Sequence, residues 1–352
     1  MKKNRMAIFA SVLLVFCGLL FTGTAAFAQS LSASESLERG KTFFNNGDYD
    51  TAIECFNDAI KLDEKSAEIY YWRGNAYEKK GNYDKAIADF TQAIKLDPNY
   101  AVAYNNRGLS YNNKGDYDKA IADCTQAIKL DPNFAVAYNN RGLSYNNKGD
   151  YDKAIADYTQ AIKLAPKLGA AYNNRGFSYN AKGDYDKAIA DYTQAIKFAP
   201  NYAYYYNLRG NAYYVKGNYA KVIADFTQAI KLNPKNAVYY NSRGNGYFFK
   251  GNYNKAIADF TQAITLDPNV AEYGSRGLSY NNKGDYDKAI ADCTQAIKLD
   301  PNVANYYNIR GESYYYKGDY DKAIADFTQA IKLAPNVAVY KSNLEAAQQA
   351  KR

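Results

Sequence analysis

Histidine is absent from the sequence. That removes the Ser–His and Cys–His nucleophile pairs and the imidazole ligands of most catalytic zinc sites. Cysteine is scarce, with only Cys17, Cys55, Cys124 and Cys293, and no disulfide framework is present. There is no glycine-rich phosphate loop, and no carboxylate pair stands out as a general acid and base. Neither sign of charge dominates, with 44 Lys and Arg against 36 Asp and Glu, and lysines and aspartates interleave. A nucleic-acid footprint would need a stripe of one sign. The expectation is therefore a chain that is not an enzyme, with no cofactor, no metal and no nucleic-acid partner.

What is present is repetition. Glycine recurs at Gly40, Gly74, Gly108, Gly142, Gly176, Gly210, Gly244, Gly277 and Gly311, spaced by 34 residues except for one interval of 33. A fixed period of this length marks a solenoid, in which each unit buries its apolar face only by stacking on its neighbours. Take residues 101–134 as the unit and Ala101 as slot 1. Tyr104, Gly108 and Tyr111 then share one face of a first helix, and Ala120, Cys124 and Ala127 share one face of a second. Large side chains face small ones, which lets two helices cross closely. All eight prolines fall at slot 32, where a missing N–H ends the second helix. The 38 tyrosines gather mainly at slots 4, 11 and 17 and are expected to form the helix-packing core. Cys124 and Cys293, at slot 24, are expected to be small buried apolar residues.

This pattern resembles the tetratricopeptide repeat family over residues 33–337. The resemblance implies an all-α, right-handed superhelical solenoid of about nine helix pairs. The expected division is a signal peptide at 1–28 and a solenoid at 29–337, with a capping helix at 338–352. The repeats are 33–66, 67–100, 101–134, 135–168, 169–202, 203–236, 237–269, 270–303 and 304–337. Residues 109–133 recur unchanged at 278–302, a sign of duplication. Val222 stands where other repeats carry alanine at slot 20, adding bulk to a close crossing at an expected cost of about 1–3 kcal/mol unless the site relaxes.

Residues 1–28 have a basic start, an apolar run over 6–21 and an Ala26-Phe27-Ala28 ending. This is the three-part pattern of a secretory signal peptide with cleavage before Gln29. Loss of Lys2, Lys3 and Arg5 takes the formal charge from +8 to +5. The expected location is exported, periplasmic or secreted. Retention of residues 6–21 would instead anchor the chain to the inner membrane, and only then is a membrane partner expected.

Arginine occupies slot 7 of every repeat, leaning toward the packed face, where a charge needs a partner. Aspartate at slot 23 has the matching helix phase. Arg73, Arg107, Arg141 and Arg175 are accordingly read as ion-paired with Asp89, Asp123, Asp157 and Asp191; an anion-binding arginine row is the rival. The resemblance implies that first helices line a concave groove at slots 2, 5, 6, 9, 12 and 13. There lie Asn105, Asn106, Leu109, Asn112, Asn139, Asn140, Leu143, Asn146, Asn173, Asn174, Phe177 and Asn207. A carboxamide matches both groups of a peptide backbone, so these residues are expected either to grip an extended peptide or only to solvate the wall. The function implied is a scaffold binding a peptide or helix of a partner protein in the bacterial envelope. The alternative is an assembly factor docking by its convex face or ends into a secretion or outer-membrane complex.

Overall fold

The computed structural model describes residues 31–352, so the signal segment expected over 1–28 lies outside the described residues. Among the described residues there are 19 helices and no strand. The first pairs are α1 (Ala33–Asn45) with α2 (Tyr49–Leu62), α3 (Ala67–Lys79) with α4 (Tyr83–Leu96), and α5 (Ala101–Asn113) with α6 (Tyr117–Leu130). The middle pairs are α7 (Ala135–Asn147) with α8 (Tyr151–Leu164), α9 (Gly169–Ala181) with α10 (Tyr185–Phe198), and α11 (Ala203–Val215) with α12 (Tyr219–Leu232). The last are α13 (Ala237–Phe249) with α14 (Tyr253–Leu266), α15 (Val270–Lys283) with α16 (Tyr286–Leu299), and α17 (Ala304–Tyr316) with α18 (Tyr320–Leu333). A final helix, α19 (Ala338–Lys351), packs on α18.

Each pair is joined by a short turn whose glycine takes a positive φ, 85° at Gly149, a conformation costly for other residues. The second helix begins at a slot-16 side chain; Asp150 accepts a hydrogen bond from the Lys153 N–H, satisfying one of the unpaired donors there. The two helices cross where slot 8 meets slot 24. A Cβ added to Gly142 would come within 2.8 Å of the Tyr158 ring and 3.2 Å of the Ala154 carbonyl.

The core is narrower than the sequence implied. Alanines at slots 20 and 27 and the slot-24 side chain are fully buried. The tyrosines at slots 4, 11 and 17 pack against that core from its margin, as Tyr104, Tyr206 and Tyr314 do; in the third repeat Tyr104, Tyr111 and Tyr117 are half-buried. They offer ring faces to cations, with the Arg107 guanidinium 5.5 Å from Tyr104 and the Lys119 amine 5.3 Å from Tyr111. A phenol keeps its hydroxyl wet at such a margin while its ring packs. Tyr158 shows the alternative: fully buried at slot 24, its hydroxyl has no partner.

Val222 is accommodated rather than strained. It is fully buried, and opposite it in the next repeat stands Gly246, where all the other repeats but the first carry Ser or Ala, as at Ser110, Ser144 and Ala212. A Cβ on Gly246 would lie 3.1 Å from Val222 Cγ1 and 3.1 Å from Ile223 Cγ1. The added methyls fill the space the missing side chain leaves. The 33-residue interval is absorbed in the turn before α15, where Asn269 caps the helix by accepting from the Ala271 N–H at 3.0 Å. Gly246→Ser is expected to lower stability by about 1–3 kcal/mol in chemical denaturation, and Val222→Ala in the same chain should remove most of that loss.

Candidate partner-binding groove

First helices of adjacent repeats touch one another, whereas second helices make no comparable contact among themselves within the described residues. The solenoid therefore curves with its first helices inside. This first-helix contact is fullest between α5 and α7 and sparsest between α9 and α11.

Eight arginines hold this stack. Arg107 donates from Nε to Asp123 Oδ2 at 2.7 Å and from Nη2 to Oδ1 at 2.8 Å. Its Nη1 donates to Thr91 Oγ1 of the preceding repeat at 3.1 Å. Arg141 with Asp157 and Arg175 with Asp191 repeat the arrangement. Arg73 pairs with Asp89 and reaches Asn57 instead of a threonine. The hydrogen-bonded Asp157 raises the Arg141 guanidinium above its ordinary value, against the effect of burial. With its fork filled and its third nitrogen engaged, each guanidinium faces its own partners rather than a groove anion.

Four of the nine asparagines are placed otherwise than expected, while Asn106, Asn146, Asn173, Asn174 and Asn207 are half-buried. Asn105, Asn112, Asn139 and Asn140 are buried, Asn105 to 3 % exposure and Asn139 to 9 %, and so do not line an open wall. Their carboxamides bond one another across repeats. Asn140 Nδ2 donates to Asn105 Oδ1 at 3.0 Å, and Asn174 Nδ2 donates to Asn139 Oδ1 at 3.2 Å. Asn106 Nδ2 donates to Asn75 Oδ1 at 2.8 Å. Within repeats, Asn105, Asn139 and Asn173 donate to Asn106, Asn140 and Asn174. Asn112 accepts from Asn147, Asn146 accepts from Ser178, and Asn207 accepts from Asn211. The bonds that cross repeats are stitches between first helices, because close helix approach buries Asn105 and Asn139 at slot 5 and a buried carboxamide must find partners.

The ladder stops at Leu208. The position after Asn174 in register offers no donor, and Asn173 Oδ1 is left buried without a partner. This is the junction where first-helix contact is sparsest.

What the groove does present is apolar. Phe177 at slot 9 is 44 % exposed, while Leu109 and Leu143 at the same slot are half-buried. Also exposed on first helices are Val136, Tyr204 and Val238 at slot 2, and Tyr214 and Phe249 at slots 12 and 13. Phe249 lies edge-on to Tyr214 at 5.7 Å and stacks on Tyr219 at 5.0 Å. Sequence reading fixed on the asparagines and passed over slot 2, although Val136, Tyr204 and Val238 share that helix phase.

Reactive groups are few. Burial pushes the Cys124 and Cys293 thiols up to about 12, so both stay protonated. No group of three or more Cys, Asp or Glu able to hold a metal occurs among the described residues. No described helix is long and apolar enough to cross a membrane.

Asn139→Ala strands a donor on Asn174 and an acceptor on Asn140, whereas Asn173→Ala removes an oxygen that already lacks a partner. Urea denaturation should show Asn139→Ala losing about 1–3 kcal/mol more than Asn173→Ala; equal losses would deny the stitching.

The comparisons with known proteins agree with this architecture. A TPR repeat model matches residues 40–81, and a tetratricopeptide repeat model matches 67–100, 101–134, 135–168, 169–202, 203–236, 237–270, 270–303 and 304–337. No curated protein gives a significant match. Among solved structures, a tetratricopeptide repeat protein from Parabacteroides merdae ATCC 43184 is 20% identical with a TM-score of 0.48, covering 81% of this chain and 99% of its own. MamA is 30% identical with a TM-score of 0.41, over 45% of this chain and 93% of its own. YrrB, described as a TPR protein with an unusual peptide-binding site, is 22% identical with a TM-score of 0.47, over 53% and 96%. With family models matched in register along nearly all of the described residues, the chain belongs to the tetratricopeptide repeat family.

Proposed function

We propose that this chain is a non-catalytic protein-interaction scaffold of the bacterial envelope that receives a peptide or helix of a partner along its inner face. The observation that carries the reading is the row of exposed apolar side chains on the first helices, with Val238 at 58 % and Phe249 at 50 % exposure. Large apolar side chains left exposed on the inner helices of a solenoid are candidates for contact with a partner. The buried Asn105, Asn112, Asn139 and Asn140 serve that face by fixing the spacing of its helices.

A photo-reactive phenylalanine analogue placed at Phe177 should cross-link the partner in envelope extract. The same analogue at Lys163, exposed on the outer α8, should not. Cross-linking from Lys163 alone would favour docking by the convex face. Export rests on the basic start, apolar run and Ala26-Phe27-Ala28 ending. Amino-terminal sequencing of the mature protein is expected to begin at Gln29, and a cytoplasmic product starting at Met1 would overturn it.

A further inference from the structure

A second row of charges runs along the edge formed by the turns within each helix pair. The slot-14 lysine of one repeat reaches back to the slot-18 aspartate of the repeat before it. This occurs at seven junctions, from Lys80–Asp50 to Lys351–Asp321. Each of those carboxylates sits in the first turn of a second helix, where the helix dipole also favours negative charge. Two successive junctions break the rule. Slot 18 is Ala220 in the sixth repeat and Asn254 in the seventh, and no described carboxylate lies within ion-pair distance of Lys250 or Lys283.

The same two repeats lose a second acid. Lys119, Lys153 and Lys187 are each held by the aspartate that caps their own helix, at 2.6–2.7 Å. In repeats six and seven that cap is Asn218 and Asn252, which leaves Lys221 and Lys255 without it. The sixth repeat carries five basic residues against the single acid Asp225, itself consumed by Arg209. The edge of α12 to α15 thus gathers four lysines with no acid to neutralise them.

The shape at these positions matches the charge. Between Lys80 and Lys114 a shallow depression contains the Asp84 carboxylate. The equivalent depressions between Ala220 and Lys250, and between Asn254 and Lys283, have the lysine and the helix start but no carboxylate. Beside them stands the half-exposed Phe249, stacked on Tyr219. Elsewhere along the edge the chain supplies the anion itself; here it is left to be supplied from outside.

We propose that this edge docks an extended acidic segment of a partner protein, whose Asp or Glu carboxylates take the two vacated slot-18 positions. Lys250 and Lys283 are one repeat apart, on the order of one helix diameter, about 10 Å. An extended chain advances about 3.3 Å per residue, so carboxylates three residues apart reach both lysines and place an intervening side chain over Phe249. The inference rests on the scaffold reading and shares only Phe249 with the groove.

The probe is a fluorescein-labelled synthetic peptide with two aspartates three residues apart and a phenylalanine between them, measured by anisotropy against the mature chain at low salt. Binding should weaken by about fivefold or more in Ala220→Asp/Asn254→Asp and in Lys250→Gln/Lys283→Gln, since two screened charge pairs are lost. The first variant restores the pattern of the other repeats, so it folds if they do, and circular dichroism verifies this. Lys148→Gln, at a junction that keeps its aspartate, should leave affinity unchanged. Undiminished binding by Ala220→Asp/Asn254→Asp, or equal binding of a peptide with asparagine for aspartate, would overturn the proposal. So would a 20-base DNA strand or an anionic lipid vesicle that outcompetes the peptide at the same lysines. Loss of peptide binding in Phe177→Ser alone would place the peptide in the groove, refuting the edge while sparing the scaffold.

Discussion

The stack depends on one forked ion pair repeated eight times. Each guanidinium joins the first helix that carries it to the second helix of its own repeat and to the second helix of the repeat before. A planar group with donors on three nitrogens satisfies all of these at one separation and one rotation only. A charge in so dry a place without its carboxylate would be strongly destabilising. The pair therefore sets the crossing inside a repeat and, through the threonine, the register between repeats. The slot-8 glycine goes with it, because a side chain there would meet the slot-24 residue of the second helix and hold the two helices apart.

Relations contained within one repeat could be read from the sequence. Arg107 and Asp123 lie 16 residues apart, and their phases on two short helices require them to meet. The slot-24 cysteines were legible as buried for the same reason. Relations spanning repeats were not. Whether Asn140 faces water or Asn105 depends on how closely two first helices approach, and that distance is set by side chains far along the chain. Val222 looked overpacked because its complement, Gly246, belongs to the next repeat. Interleaved lysines and aspartates looked like an evenly solvated surface, yet Lys114 answers to Asp84, 30 residues earlier. Tyr104 misled for another reason: aromatic character implies burial, while its hydroxyl and a neighbouring cation hold it at the margin.

The repeats are consequently alike in core and unlike in join. Between α5 and α9 the first helices are stitched by carboxamides and approach closely through the small slot-3 residues Ala103, Ala137 and Ala171, all fully buried. At α11 the slot-3 residue is Tyr205, the stitch is lost at Leu208, and first-helix contact is sparsest. Glu272 marks another departure. It occupies the buried slot 3 of the eighth repeat with one oxygen unpartnered, and burial raises its carboxyl above the usual range. A solenoid of near-identical units thus has joins that differ in their contacts, as single substitutions at inter-repeat positions decide.

That every fork closes within its own repeat bears on how such a gene can change length. The blocks 109–133 and 278–302 are identical, so an exchange between their coding segments would excise five whole periods. In the shortened product Arg107 would still meet an aspartate 16 residues on, the one now numbered Asp292, and no buried charge would be orphaned. The cost would fall on whatever is particular to the excised stretch: the carboxamide stitches, the Val222–Gly246 exchange and the lysine-rich edge. Recombination can therefore trim or extend the array without unfolding it, while individuality is lost or gained in blocks.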